Sequence, residues 1–334
     1  MAGETHVRAD LLGGGMTAAP LAALFPGQLS EKPGMGEELA RRFAFVADFY
    51  EEVSRRSGVD LASTFFGPGS PALHDDRPAQ VGVFAVSVAA LDALERIHGL
   101  LPAAVAGYSL GTYAAFVAAG ALDRFDALEV LLTAERLLSE DRRAHSDRPG
   151  GMGFVIGLSR AAVEGSLGAG VTIGTENAAQ QFVLTGERAA VEAAIERLRP
   201  NALKAEMLPI GLAMHSRRLD EVSRRLKSFL EGKRAVRTPK CHLYAPMLGR
   251  TVSSLEEISS VLSLQISRPS FWSSTLAAMG AVGFSAFAEL GPGDALTKLL
   301  RWTLRSARGY VVEDPEGAAA AASAMMAPEV MDGG

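Results

Sequence analysis

A pentapeptide at residues 107–111 restricts the fold of this chain more than any other feature. Gly107-Tyr108-Ser109-Leu110-Gly111 follows a short apolar run that predicts a buried strand at about 103–107, and it precedes small residues that predict a helix. The two glycines allow a sharp turn, because side chains there would collide with neighbouring backbone. A strand, a tight turn and a closely packed helix in this order are typical of a parallel sheet covered by helices.

The same pentapeptide is a G-x-S-x-G pattern, which places a serine at the start of a helix. The Oγ atom projects there from the end of the sheet, and free backbone N–H groups of the helix can stabilise an oxyanion. The pattern also occurs by chance in ordinary strand-to-helix turns. The strand before it and the helix after it favour a nucleophilic Ser109.

The rest of the chain predicts a two-part α/β protein. Strand and helix patterns alternate on both sides of residues 150–210, which predicts a large α/β-hydrolase-like domain with a parallel sheet. Residues 150–210 have the order strand, helix, strand, strand, helix, strand, as in a small ferredoxin-like domain. We therefore expect a large catalytic domain of residues 21–149 and 211–318 with this small domain inserted. Residues 1–20 are predicted to be a flexible leader, and residues 319–334 a flexible tail that frays or ends in a short alanine helix.

Composition excludes several classes of protein. The chain has 334 residues, 48% of them hydrophobic, and its one cysteine, Cys241, excludes a disulfide framework and a multi-thiolate metal site. No apolar segment approaches the roughly 18 residues of a membrane span, and the N-terminus lacks the pattern of a signal peptide. The formal net charge of −5 argues against a protein that coats nucleic acid. We expect a cytoplasmic protein with neither a membrane nor a nucleic-acid partner.

A nucleophilic serine needs a general base, and the chain has six histidines. His215 follows the last predicted strand of the small domain, at a domain junction where clefts form. His242 lies shortly beyond Pro239 in another predicted strand. Spacing does not choose between His215 and His242, and an ordinary polar or helix-capping role is the simpler account of any single histidine.

Short motifs are distributed along the chain in a fixed order. They are Phe25-Pro26-Gly27-Gln28 with Gly34-Met35-Gly36, Gly107 to Ala115 around Ser109, Asn177 with Gln181, His215-Ser216, Gln265 with Pro269 and Trp272, and Gly291-Pro292-Gly293 with Leu296-Thr297. This order resembles the malonyl-CoA:acyl-carrier-protein transacylase family and the related acyltransferase domains of polyketide synthases. The resemblance runs over roughly residues 22–315.

The resemblance implies a catalytic dyad in which His215 takes the Oγ proton and Ser109 attacks a thioester. A second thiol then resolves the acyl-serine. The resemblance also implies that the backbone carbonyl of Gln265 orients the histidine, and that the backbone N–H groups of Leu110 and Glu31 form the oxyanion hole. It implies no bound cofactor. The substrate would be a phosphopantetheine thioester, either acyl coenzyme A or an acylated acyl carrier protein.

Three positions depart from the family pattern. Ala134 stands where the family has the arginine that holds the free carboxylate of malonyl, and Arg136 lies on a different face of the same helix. Tyr108 replaces a histidine, and Glu31 replaces a glutamine and would add negative charge near a carboxylated substrate. We therefore expect an acyl group without a free carboxylate, in a pocket formed by Tyr108, Ala134 and Met214. An arginine supplied by another loop is the alternative.

Basic residues are concentrated in one part of the chain. Residues 216–240 hold nine basic residues against three acidic ones. Acyl carrier proteins are typically acidic, so we expect a basic rim that steers them to the cleft, with solvated helix faces as the alternative. Phe229 is the one aromatic residue among these charges in residues 216–240, which argues further against nucleic acid. The predicted docking residues are Arg217, Arg218, Arg224, Arg225 and Arg301. Arg301 belongs to a second basic series, which also contains Lys298, Arg305 and Arg308.

The sequence thus predicts an acyltransferase that moves a non-malonyl acyl group between thioesters, onto or between acyl carrier proteins, in polyketide-type biosynthesis. Malonyl transfer is the first alternative. Hydrolysis of the same acyl-serine is the second, because water can replace the accepting thiol. A non-catalytic carrier-docking protein is the third, and it is disfavoured because Ser109, His215 and both glycines of the turn are present.

Overall fold

Two sheets organise the computed structural model, which describes residues 20–233 and 235–326. Residues 1–19, most of the predicted leader, lie outside the described residues. The strands are β1 Leu21–Phe25, β2 Ala104–Gly107, β3 Gly150–Ile156, β4 Val171–Ala178, β5 Gln181–Glu187, β6 Lys204–Met207, β7 His242–Ala245, β8 Arg250–Thr251, β9 Ser270–Phe271, β10 Ala286–Leu290 and β11 Arg308–Val312.

Helices connect most of these strands. They are α1 Glu37–Arg42, α2 Ala44–Ser57, α3 Leu61–Phe65, α4 Asp76–His98, α5 Thr112–Ala118, α6 Arg124–Ala144, α7 Arg160–Glu164, α8 Arg188–Leu198, α9 Asp220–Lys233, α10 Leu255–Leu264, α11 Trp272–Ala281, α12 Ala295–Thr303 and α13 Pro315–Met326. Within the described part of the chain, none of them is both long and apolar enough to cross a membrane.

The larger sheet has the strand order β11-β10-β1-β2-β7-β8. Neighbouring strands are parallel, except that β8 returns antiparallel to β7 at one edge. Every residue of β1, β2 and β10 is buried, because helices cover both faces of the sheet. The long helix α4 is itself buried from residue 79 to residue 94. The predicted α/β fold class with a parallel sheet is confirmed.

The smaller sheet has the strand order β6-β3-β5-β4-β9. Its first four strands and the helices α7 and α8 follow one another in the order that the sequence predicted for residues 150–210. Apolar residues of α8, among them Val191, Ile195 and Leu198, are buried against one face of this sheet. The fifth strand, β9, comes from outside that range and pairs parallel with β4. A separate ferredoxin-like domain therefore stays a prediction.

Residues 319–326 of the predicted tail form part of an alanine-rich helix, one of the two forms expected for this segment. These residues belong to α13, which packs against α4 and β11 and buries Ala321 and Met325. Alanine side chains let the helix approach its neighbours closely, so this segment forms part of the core rather than fraying. Residues 327–334 lie outside the described residues.

Candidate active site

The turn after β2 holds Ser109 in an unusual backbone conformation. Ser109 has a φ of 51°, in the left-handed region that residues other than glycine rarely adopt. A Cβ added to Gly111 would lie 2.1 Å from the carbonyl oxygen of Phe25, and one added to Gly107 would lie 2.3 Å from the carbonyl of Gly111. Both glycines are therefore sterically required for the turn that presents Ser109.

His215 is in direct contact with this serine. The Oγ atom of Ser109 lies 2.9 Å from Nε2 of His215, although 106 positions separate them in the chain. His215 also has a left-handed backbone, with a φ of 59°, and its N–H donates to the carbonyl of Ile266 across 2.8 Å. Nδ1 lies 3.3 Å from the carbonyl oxygen of Arg268. A proton on Nδ1 satisfies this carbonyl and leaves the Nε2 lone pair for the serine hydroxyl.

The ring of His215 has two backbone acceptors nearby. The resemblance implied the carbonyl of Gln265, which also bonds the ring, and the structure adds the carbonyl of Arg268, 3.3 Å from Nδ1. The chain turns after α10 and carries Arg268 to the imidazole. Burial of the ring outweighs both carbonyls and lowers the pKa of His215 below its ordinary value of 6.5. The imidazole is therefore neutral at pH 7 and able to accept a proton.

The structure places the two candidate bases in different cavities. His242 belongs to β7 and lines a different cavity, next to Cys241. Desolvation, with a further contribution from Glu95, raises the pKa of the Cys241 thiol to about 11, so this thiol is a poor nucleophile. Among the described histidines, only His215 reaches Ser109. His6, the one histidine of the predicted leader, lies outside the described residues.

The two residues predicted for the oxyanion hole differ in how they face the site. Leu110 follows Ser109 in a short 3₁₀ segment and lines the cavity beside it. The buried carboxylate of Glu31 accepts a hydrogen bond from the N–H of Leu29 across 2.8 Å and lies 3.4 Å from Nδ1 of His74. Glu31 is not one of the described residues that line the cavity, and its expected charge effect on the substrate stays a prediction. Oxyanion binding by the two N–H groups stays a prediction.

A cavity of about 350 Å³ opens beside Ser109 and His215. Residues of α4 and α6 line one side of it, and residues of the smaller sheet line the other. Tyr108, Ala134 and Met214, the three residues predicted for an acyl pocket, all line this cavity. A volume of this size is at the lower end of the range for small-molecule sites.

The cavity has no charged wall. None of the described residues that line it is Lys, Arg, Asp or Glu. Arginines on the flanking helices pair with carboxylates instead: Arg136 lies 2.7 Å from Glu140, and Arg77 lies 2.7 Å from Glu135. The alternative of an arginine supplied by another loop therefore has no candidate among the described lining residues. Within the same described part of the chain, no group of three or more His, Cys, Asp or Glu residues could hold a metal ion.

One wall of the cavity was not identified from the sequence. Six apolar residues from the smaller sheet and the segment after it face the cavity: Met152, Phe154, Ile156, Val183, Leu208 and Ile210. The period of two in β3, at residues 152, 154 and 156, is the signal that could have revealed it, because alternate residues of a strand share one face.

Tyr108 joins the turn to the smaller sheet. Its hydroxyl donates a hydrogen bond to Oδ1 of Asn177 in β4 across 2.8 Å, and its ring packs edge-on against Trp272. Burial raises the pKa of Tyr108 to about 12, so the phenol stays protonated and remains a donor. Asn177 and Gln181, which carried part of the resemblance, both line the cavity.

Most of the predicted docking residues are engaged within the chain. Arg218, Arg224 and Arg225 lie 3.7, 2.5 and 2.7 Å from carboxylates of other residues. Arg217 and Arg301 are exposed, and neither has a side-chain partner among the described residues. The basic surface therefore has fewer unpaired positive charges than the local count of basic residues indicates. Its role in docking stays a prediction.

Comparison with known proteins agrees with this geometry. The sequence profile of a family described as "Acyl transferase domain" matches residues 23–331. The chain is 31% identical over 328 residues to the polyketide biosynthesis protein ThaF of Burkholderia thailandensis, an alignment that covers 94% of this chain but 28% of that protein. It is 27% identical over 306 residues to the malonyl CoA-acyl carrier protein transacylase of Bacillus subtilis, which covers 89% of this chain and 94% of the relative.

A solved structure has the same fold. It is described as a type II PKS acyl-carrier protein in complex with its malonyl-transacylase, and it matches with a TM-score of 0.85 and 26% identity over 91% of this chain and 99% of that chain. The profile match includes the turn at Ser109, His215 and both sheets. The chain therefore belongs to the acyl transferase domain family.

Proposed function

We propose that this protein transfers an acyl group without a free carboxylate between thioesters, through an ester on Ser109, onto or between acyl carrier proteins in polyketide-type biosynthesis. The observation that carries the proposal is the cavity beside Ser109, in which no described lining residue is a lysine or an arginine. A carboxylate buried there without a partner would lose about 3 to 5 kcal/mol. That cost corresponds to about two to four decades in affinity, so malonyl fits this site poorly.

The chemistry follows from the contact between Ser109 and His215. Nε2 of His215 accepts the Oγ proton while Oγ attacks the thioester carbonyl carbon. The backbone N–H groups of Leu110 and Glu31 would stabilise the resulting oxyanion. The C–S bond then breaks, and the leaving thiolate takes the proton from Nε2. The product is an acyl ester on Ser109 and a free thiol.

The second half repeats these steps with the roles of the thiols exchanged. An incoming phosphopantetheine thiol gives its proton to Nε2 of His215 and attacks the ester carbonyl. The C–O bond breaks, and Oγ of Ser109 recovers the proton. A neutral imidazole is needed at the start of each half, which agrees with the lowered pKa of His215.

The proposed partner is an acyl carrier protein. One relative of the same fold was solved in complex with a type II PKS acyl-carrier protein, and another is named a malonyl CoA-acyl carrier protein transacylase. The exposed and unpaired Arg217, two positions after His215, could attract the acidic surface of a carrier. Since the chain spans 28% of the length of ThaF, the activity of that whole protein does not transfer to this chain.

Malonyl transfer is a second candidate, because the Bacillus subtilis relative is named for that activity. Intact-protein mass spectrometry, after mixing with acetyl, butyryl, hexanoyl and malonyl thioesters of coenzyme A and of a carrier protein, separates the two. We expect adducts from the first three acyl groups, located at Ser109, and no malonyl adduct on the same time scale. A malonyl adduct that forms as fast as the others would overturn the proposal.

Two variants sharpen this experiment. Ser109→Ala should form no adduct from any thioester, which shows that the measured ester is on the nucleophile. Ala134→Arg places a cation in the cavity and should raise malonyl acylation relative to acetyl acylation, because it supplies the missing partner for a carboxylate. Hydrolysis is the better account if the adduct decays to free acid equally fast with and without an accepting carrier protein.

A further inference from the structure

The apolar wall of the cavity is a continuous surface built from neighbouring strands. Phe154 of β3 and Val183 of β5 lie directly opposite one another in the antiparallel pair. Met152 lies two positions before Phe154 on the same face, and its carbonyl accepts a hydrogen bond from Leu208 across 2.9 Å. The chain then continues past Leu208 to Ile210, the last member of the wall. Apolar side chains from three adjacent segments therefore form one surface.

This surface is not filled by the rest of the protein. Phe154, Ile156, Leu208 and Ile210 all keep part of their surface accessible to solvent, although they are large and apolar. The opposite face of the same sheet packs against α7 and α8 and has its own buried core. A protein rarely leaves a contiguous apolar surface open inside a cavity unless an apolar ligand occupies it.

Residues of α6 and of the loop after β1 also contribute apolar side chains to the cavity, beside the amides of Gln28 and Gln80. Ala134 and Leu138 lie one turn apart on α6, face the cavity and are almost completely buried. Leu29, in the loop after β1, adds a side chain that is 42% exposed. The continuous apolar surface of the cavity is therefore that of the smaller sheet and the segment after it.

Polar groups are collected at the other edge of the smaller sheet. Thr175 and Asn177 of β4 line the cavity there, together with Gln181 at the start of β5. Tyr108, whose hydroxyl donates to Asn177, places the turn of the nucleophile on this polar side. Amide groups of a pantetheine arm need hydrogen-bond partners, so this edge suits the arm, and the apolar wall suits a hydrocarbon.

We propose that the wall of Met152, Phe154, Ile156, Val183, Leu208 and Ile210 is a binding surface for an extended, hydrocarbon-like acyl chain. The natural substrate is then an acyl thioester with several reduced carbons beyond its carbonyl, not an acetyl or propionyl unit. This inference rests on the proposed function, because the hydrocarbon reaches the wall only as part of the acyl group that Ser109 accepts from a thioester. Each buried methylene is worth up to about fourfold in the acylation rate constant, the equivalent of about 0.8 kcal/mol.

The test measures the acylation rate constant of Ser109 with acetyl, butyryl, hexanoyl and octanoyl thioesters of N-acetylcysteamine by quenched-flow mass spectrometry. We expect the rate constant to rise with chain length, so that octanoyl exceeds acetyl by at least about thirtyfold. Acylation that does not depend on chain length would overturn the inference and leave the proposed function standing. The absence of any adduct from these or any other thioesters would overturn the proposed function as well.

Variants of the wall residues test whether the wall causes the dependence of the acylation rate constant on chain length. Val183→Thr keeps the shape of the side chain and places a hydroxyl in the wall, so the ratio of octanoyl to acetyl rate constants should fall at least about fivefold. Val171→Thr is the matched control, because Val171 belongs to the covered core on the opposite face of the same sheet. If Val183→Thr does not fold, Leu208→Asn replaces it, because Leu208 is partly exposed; the ratio of octanoyl to acetyl rate constants should fall in this variant too. Equal slowing of acetyl and octanoyl transfer by the wall variants would assign the surface to the pantetheine arm and reject the inference.

Discussion

The hydroxyl of Tyr108 donates a hydrogen bond to the side-chain oxygen of Asn177 across 2.8 Å, and this bond joins the turn of the nucleophile to the smaller sheet. Asn177 is 6% exposed, so its oxygen depends on a partner within the protein. The same phenol packs edge-on against Trp272, with ring centroids 5.4 Å apart. One side chain therefore contacts both the smaller sheet and the core that packs on the larger sheet.

Tyr108→Phe should lower the free energy of unfolding by about 1 to 3 kcal/mol, because it leaves the buried oxygen of Asn177 without its donor. Tyr310→Phe is the matched control, since its hydroxyl has no partner among the described residues and its loss should change stability by less than about 0.5 kcal/mol. Urea unfolding followed by fluorescence measures both. Equal stability of the two variants would contradict the role of this hydrogen bond.

The acylation rate should depend on pH through His215. Burial lowers the pKa of His215 below 6.5, and the neutral ring is the form that accepts the Oγ proton. The acylation rate constant should therefore reach its plateau on the alkaline side and have its inflection below pH 6.5, where the ring becomes protonated. Rates measured by mass spectrometry on both sides of this pH give the inflection. An inflection at or above pH 6.5 would be inconsistent with a desolvated base.

Replacement of the same histidine should slow acylation strongly. His215→Gln removes the general base, which typically contributes about a hundredfold to ten-thousandfold. His242→Gln, in the separate cavity next to Cys241, is the control and should leave the rate close to that of the unmodified protein. If the two variants lost the same activity, His215 would not be the base.

Substitution by alanine should destabilise the protein at a glycine of the turn but not at an exposed glycine of a helix. Gly111→Ala forces a Cβ to 2.1 Å from the Phe25 carbonyl oxygen, and we expect a loss of about 3 kcal/mol or more, or failure to fold. Gly232→Ala is the control, because this exposed glycine lies in α9 and a Cβ there meets nothing within 4 Å. It should gain about 0.5 kcal/mol from helix propensity. Thermal unfolding distinguishes these opposite signs.

Arg217 should affect the rate of acyl transfer to carrier proteins and not the rate of acylation by small thioesters. Arg217→Glu reverses an exposed and unpaired charge, and we expect transfer to an acidic carrier to slow about threefold to tenfold at low salt. Acylation by an N-acetylcysteamine thioester, which has no protein surface, should be unchanged. Arg224→Glu is the control, because Arg224 already pairs with Glu221 at 2.5 Å. Equal slowing with both kinds of substrate would reject a docking role.

The turn at Ser109 and the sheet around it could be predicted because their determinants are local. Gly107 and Gly111 are required by clashes with atoms a few residues away or on the adjacent strand. The alternation of apolar runs and helical periods likewise reports on each element by itself. The position of His215 was suggested by the end of a predicted strand, but the residues alone did not separate it from His242. The family resemblance was needed for that choice.

Features that depend on distant parts of the chain could not be predicted in this way. Arg225 pairs with Glu140 from 85 positions away, and no local count of charges shows that this arginine is neutralised. The addition of β9 to the smaller sheet involves a two-residue strand, too short to have a period. The path of the chain after α10 likewise brings the carbonyl of Arg268, ahead of that of Gln265, to the imidazole.

The segment from Ile266 to Phe271 has a mechanical consequence. The carbonyls of Ile266 and Arg268 hold the backbone and the ring of His215, and Ser270 and Phe271 form β9 beside β4 of the smaller sheet. Six consecutive residues therefore connect one wall of the cavity to the imidazole. Because one short stretch of backbone carries both contacts, a change in its path would alter β9 and the acceptor of Nδ1 together.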